Sequence, residues 1–477
     1  MADLALMSAT EAMAALQQGK VSSVELTQAC LDRIEKYNSL VNAFIRIEAD
    51  EALATAAQLD KERQSGKVRS PIHGLVLAHK DMFDRPGKVS TGGTKILRDR
   101  VATRTATVLQ RFDEAGAVDL GGLNMSEFAA GPTGHNIHYG DCCNAFNPDY
   151  VSGGSSSGSG AAVAARLVFG ALGSDTGGSI RLPAGMNGLC GLKATYGRIS
   201  RHGAMARSWS LDHIGPLGRS ARDVALMYQA VAGEDPCDPS TLGQPEVGAI
   251  DFESASIKGL RIGVPVEKDL ETVDVEVQQA LQASYRVLEQ LGAKLVPVKL
   301  PDFRSIYFLA ETIIKSEAAS MHHDWLKERP QDYSANVRVR IEAGLAIPAA
   351  AYIDALRMRT HLTASFIRDT MGEVDVLLLP NMPITVPRRD EANPESLAAG
   401  EKVLALVGRI TQFTRPISFL GLPSLTVPCG FDQKGLSIAF QIVGRPFAEN
   451  TLLVAADQFQ QVTDYHRQAP SLVSQSS

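Results

Sequence analysis

Val151-Ser152-Gly153-Gly154-Ser155-Ser156-Ser157-Gly158-Ser159-Gly160 and, after an apolar segment, Gly173-Ser174-Asp175-Thr176-Gly177-Gly178-Ser179-Ile180-Arg181 are the two stretches from which this chain is read. Glycines let backbone N–H groups crowd around a ligand atom, and serine hydroxyls act as nucleophiles or proton relays. Such a pair of turns needs a base, and Lys80 is the candidate. Between them, Ala161–Leu172 is built of small residues and is apolar nearly all round except for Arg166. That pattern predicts a buried helix that brings the two turns together.

The surroundings alternate between strand and helix. Gly74-Leu75-Val76-Leu77-Ala78-His79 is a short apolar run ending at Lys80-Asp81, which predicts Lys80 at the carboxyl end of a strand. Thr105–Ala115 predicts a helix stopped by Gly116, and Val118–Gly121 the next strand. Leu260–Val264, Asp375–Leu379 and Leu436–Val443 predict further strands, and 275–370 is helix-rich. Near the start, Ser8–Glu11 and Ser22–Glu25 are capping boxes, and Gly19 closes the first helix. The expected fold is α/β, a large mixed, mostly parallel twisted sheet covered by helices on both faces. Ligands of such sheets bind beyond the carboxyl ends of strands. Loops are expected at 234–254 and 380–400, the latter at a pocket mouth, and the serine-rich tail is limited to Ser474–Ser477.

Composition narrows the class. The 477 residues carry a net charge of −6 with no basic run, which gives no footprint for nucleic acid. The first residues lack the cationic start and apolar core of a signal peptide, and no apolar run approaches the roughly 20 residues needed to span a bilayer. A cytoplasmic chain without membrane contact is expected. Six cysteines without a CxxC pair read as reduced thiols, with Cys142 and Cys143 as small core residues.

Rival motifs fail on context. Gly154-Ser155-Ser156-Ser157-Gly158 fits G-x-S-x-G, but Asn147-Pro148-Asp149-Tyr150 before it is not a buried strand, so a nucleophile elbow at Ser156 is not supported. A phosphate loop lacks its Lys-Ser/Thr ending. His135, His138, Asp141 and Cys142 lie close in sequence without a metal-ligand spacing. His202 and His213 follow the serine turns, but nothing in their spacing selects either as a catalytic base. Lys80 differs. At a strand end beside a crevice, desolvation disfavours its charged form and lets a neutral amine act as base.

The chain resembles the amidase signature family. The likeness rests on Gly153–Ala165, Gly173–Ala184, Gly191-Leu192-Lys193-Ala194-Thr195-Tyr196-Gly197-Arg198 and Leu211-Asp212-His213-Ile214-Gly215-Pro216. Upstream, His79-Lys80-Asp81 and Thr91-Gly92-Gly93-Thr94 also match. The resemblance implies one amidase domain over 1–477, with a signature core at 70–225 and a helical substrate-pocket region at about 275–370. It also implies a Ser–cis-Ser–Lys triad: Ser179 as nucleophile, Ser155 as relay on a cis peptide after Gly154, and Lys80 as base. Thr176, Gly177, Gly178 and Ser179 would offer oxyanion-hole N–H groups, and Ala129 and Gly131 would touch substrate. Asp175 and Arg181 would brace the turn, with Ser157 and Ser159 hydrogen-bonded within it.

The implied activity is hydrolysis of a linear amide through a seryl acyl-enzyme. Carbamate (urethane) cleavage, or an amidotransferase-type component of a complex, are the alternatives. No cofactor and no metal are implied. The substrate would be a small amide or carbamate, with a homodimer as an option for assembly. One departure stands out. Family members that deaminate glutamine carry an acidic residue shortly before the final Gly-Leu-Pro, whereas Thr411-Gln412-Phe413-Thr414-Arg415-Pro416 carries none.

Overall fold

Ser8 and Ser22 cap helices Ala9–Gln17 and Ser23–Val41, each in a reciprocal bond with the glutamate three residues on. Gly19 follows the first helix at φ 65°, where a Cβ would be strained. The computed structural model describes residues 3–395 and 400–471; residues 396–399 of the 380–400 loop and the tail Ser474–Ser477 lie outside the described residues. No helix among the described residues is long and apolar enough to cross a membrane.

Among the described residues ten strands form one sheet. They are β1 (Val76–Lys80), β2 (Val118–Leu123), β3 (Gly170–Asp175), β4 (Cys190–Lys193), β5 (His213–Gly218), β6 (Arg261–Pro265), β7 (Lys294–Val298), β8 (Val376–Pro380), β9 (Ser424–Phe431) and β10 (Ser437–Gly444). Their order is β2-β1-β3-β5-β4-β9-β10-β8-β6-β7. The sheet is mixed, as expected, but not mostly parallel: the parallel pairing is confined to its two flanks, β2-β1-β3 and β8-β6-β7. Every pair between them is antiparallel. The physical reason is visible at β9–β10, where a short turn at Gly435 reverses the chain without the crossover that parallel strands require. Strands β3, β4, β5, β7 and β9 have no counterpart among the strands expected from the sequence.

The largest local correction falls between the two serine turns. The helix expected over Ala161–Leu172 runs instead over Ser157–Ala164, so it begins inside the Gly/Ser stretch. The chain then turns through Arg166 at φ 61° and enters β3 at Gly170. Val168–Leu172 is a continuous apolar run, a pattern that suits a buried strand as well as a buried helix. Here β1 supplies the edge it pairs with: Leu77, Ala78 and His79 lie opposite Gly170, Ala171 and Leu172.

The helix Ser157–Ala164 is buried throughout and packs on β3. Gly158 permits the fit, because a Cβ there would lie 2.3 Å from the Ala43 carbonyl oxygen. Serines stitch the helix to the strand. Ser159 Oγ donates to the Leu172 carbonyl at 2.9 Å, and Ser156 Oγ donates to the Ser174 carbonyl at 3.2 Å.

Candidate active site

Strands β1 and β3 run parallel, so their carboxyl ends open on the same edge of the sheet. That places Lys80, the last residue of β1, beside the turn that leaves β3 at Asp175. The helix Ser157–Ala164 holds Ser155 at the same edge, and the Gly154–Ser155 peptide is cis. Lys80 Nζ lies 2.7 Å from Ser155 Oγ and 2.8 Å from Ser174 Oγ. Lys80 and Ser155 are fully buried, whereas Ser179 is partly exposed. Burial pulls the Lys80 amine down to about 7, against the Asp212 and Asp175 carboxylates, which favour its charged form.

Ser174 is a member of this cluster that the sequence reading leaves inside a motif. Strand register brings it there: in β3 it lies two residues beyond Leu172, the partner of His79, and so arrives next to Lys80, a pairing that no local pattern carries. A second buried lysine, Lys193, provides a contrast. Its Nζ donates to the carbonyls of Leu422 and Ala194 rather than to a hydroxyl.

The turn that carries Ser179 is built around Asp175. Its Oδ1 accepts from the Gly178 N–H at 2.7 Å and its Oδ2 from the Ile180 N–H at 3.2 Å. Arg181 bonds both oxygens at 3.0 Å, and Ser418 Oγ donates to Oδ1 at 2.9 Å. Burial alone would raise the Asp175 carboxyl; the Arg181 guanidinium outweighs it and holds the carboxyl well below the usual range. Arg181 in turn reaches Gln441 on β10 and the Thr414 carbonyl, which ties the turn to the antiparallel half of the sheet. Arg181→Met is expected to cost about 3–5 kcal/mol of stability, because it strands a buried carboxylate. Urea denaturation measures this, and a loss below about 1 kcal/mol would mean that the pair behaves like an exposed one.

Two details differ from expectation. Gly178 is not a free oxyanion donor, because its N–H is engaged by Asp175; Thr176, Gly177 and Ser179 remain. Ser157 and Ser159 do not bond within their own turn. Ser157 Oγ reaches the Asn124 carbonyl at 3.4 Å and Ser159 the Leu172 carbonyl, so both fasten the helix. Ser156 is fully buried and accepts from the Ser174 N–H at 3.2 Å, which leaves it a fastening role too.

Ser179 opens on a cavity lined by Ala129, Gly131, Thr176 and Gly177. Helix Phe303–Glu328 adds Glu311 and Ile314, helix Ala335–Glu342 adds Arg340, and Thr411 and Arg415 complete the wall with Arg207. The described part of the 380–400 loop contributes no residue to this cavity.

Three of the candidate histidines have other partners. His213 Nδ1 contacts the Leu211 carbonyl at 2.7 Å, and burial pushes its imidazole well below its ordinary value. His135 contacts Thr133 and the Arg389 carbonyl, and His138 contacts Glu127. Among the described residues no group of His, Cys, Asp or Glu is arranged to hold a metal ion. Cys142 is buried and Cys143 partly so, and burial raises both thiols.

Residues 25–453 match the family model described as Amidase. A glutamyl-tRNA(Gln) amidotransferase subunit of Chloroflexus aurantiacus is 37% identical, over 99% of this chain and 100% of that protein. Among solved structures, one described as a vestigial protein complex revealing the evolutionary origins of an s-triazine catabolic enzyme is 34% identical. It aligns with a TM-score of 0.87 over 95% of this chain and 98% of that one. The native peptide amidase of Stenotrophomonas maltophilia is 28% identical, with a TM-score of 0.83 over 98% of each chain.

Proposed function

This chain belongs to the amidase family, and from that premise we propose that it cleaves a C–N amide bond by acyl transfer, with Ser179 as nucleophile, Ser155 as proton relay and Lys80 as base. The observation that carries the reading is the buried Lys80–Ser155 contact of 2.7 Å, made by an amine that burial brings to about 7. A neutral Lys80 takes the Ser155 hydroxyl proton while Ser155 takes that of Ser179. Ser179 Oγ then bonds to the amide carbon, and the carbonyl oxygen becomes an oxyanion. Thr176, Gly177 and Ser179 are the N–H groups assigned to it, aimed by the Asp175–Arg181 pair. The relay returns a proton to the leaving nitrogen, the C–N bond breaks, and water releases the acyl group from Ser179. Ala129 and Gly131 leave room beside the carbonyl.

Carbamates undergo the same acyl chemistry, and the triad accepts either. A second reading, an amidotransferase-type component that needs partners, is favoured by the relatives named as amidotransferase subunits. Ammonia release by the isolated chain, with its mass measured by size exclusion, separates the two: a stand-alone hydrolase turns over without added protein. The triad itself is tested with an uncharged fluorophosphonate. Peptide mapping is expected to place the adduct on Ser179, and an adduct on Ser156 would overturn the assignment.

A further inference from the structure

We infer that the substrate is a small amide bearing a carboxylate and no ammonium group, held by Arg207, Arg340 and Arg415 in the cavity onto which Ser179 opens. This rests on the reading of Ser179 as nucleophile. Among the described residues, three guanidiniums line that cavity against a single carboxylate, Glu311. Glu311 is already engaged, by Arg415 at 2.5 Å and by Lys315 at 3.1 Å. The charge left over is positive and sits close to the reacting serine.

The guanidiniums are also incompletely bonded. Arg207 is 6% exposed, and its Nη1 is buried without a hydrogen-bond partner among the described residues. The Nε of Arg415, equally buried, is in the same state. Arg340 spends one donor on the Ala130 carbonyl at 2.9 Å. Burial draws Arg207 down to about 10, and the neighbouring Arg340 pushes the same way, as like charges do at close range. Buried unpaired donors and converging cations both cost stability, and an anionic ligand relieves both. A planar carboxylate is the partner that the guanidinium fork fits best.

The same wall disfavours glutamine. An ammonium group needs a free carboxylate, and Glu311 is occupied. Thr411 lines the cavity with a hydroxyl that donates to the Val407 carbonyl at 2.9 Å. A zwitterion therefore brings a positive charge into a positive site with nothing to receive it.

The test compares glutaramate, L-glutamine and pentanamide, which share a terminal amide and differ in the charge at the far end. Each is titrated as a protectant of Ser179 against an uncharged fluorophosphonate, using the full chain. Glutaramate is expected to protect at concentrations about 10- to 100-fold lower than either competitor, the range of one or more charge-assisted hydrogen bonds. Arg207→Met and Arg415→Met are each expected to erase that preference. Equal or better protection by pentanamide or glutamine would overturn the inference, and if a variant does not fold, the ranking in the unmodified chain decides. Failure of Ser179 to be labelled at all would instead remove the hydrolase reading beneath it.

Discussion

Ser179→Ala is expected to lower kcat by about 10⁴-fold or more, the scale of losing a nucleophile that acts as part of a catalytic unit. The covalent path needs an oxygen at that position, and neither Ser155 nor Ser156 can replace it. Ser155 is buried against Lys80, and Ser156 is bonded to the backbone of β3. Stability should change little, within about 0.5 kcal/mol, because the partly exposed Ser179 hydroxyl has no protein partner among the described residues. Steady-state ammonia release and thermal unfolding on the same preparation measure both quantities. Retention of a tenth of the activity would mean that another group attacks the substrate.

Lys80→Ala is expected to reduce kcat by about 10²- to 10⁴-fold, the usual contribution of a positioned general base. The unmodified chain should also show the base in its pH profile. Only the deprotonated amine can accept a proton, and burial brings Lys80 to about 7. Activity should therefore reach a plateau above that pH and fall about tenfold per unit below it. In Lys80→Ala this acidic limb should vanish along with the activity. A variant that keeps most of its turnover, or keeps the same limb, would exclude lysine as the base. The substitution also leaves the buried hydroxyls of Ser155 and Ser174 without their shared partner. Circular dichroism of the variant keeps a loss of chemistry distinct from a loss of fold.

Local signals were legible where the physics is local. A capping box needs only four consecutive residues, so Ser8–Glu11 and Ser22–Glu25 located two helix starts. Apolar runs located β1, β2, β6, β8 and β10 to within a few residues. The stretch Ala161–Leu172 resists such a reading because an apolar run buried on all sides has no periodicity to separate strand from helix. Pairing with β1 decided it. The antiparallel centre of the sheet was hidden for a related reason: β4 and β9 are paired across a long span of chain, and pairing is not written in either strand alone.

The sequence by itself determined the hydroxyl and glycine turns, the lysine at the end of an apolar run, and the family that their order implies. These survive without coordinates because each depends on residue type and near-neighbour order. Only the tertiary structure decided that Lys80 touches Ser174 as well as Ser155, that Asp175 takes the Gly178 N–H, and that Arg207, Arg340 and Arg415 meet at one cavity. Burial, charge and hydrogen-bond commitment belong to groups brought together by packing, and packing here joins residues more than two hundred positions apart, as Arg181 and Ser418 illustrate.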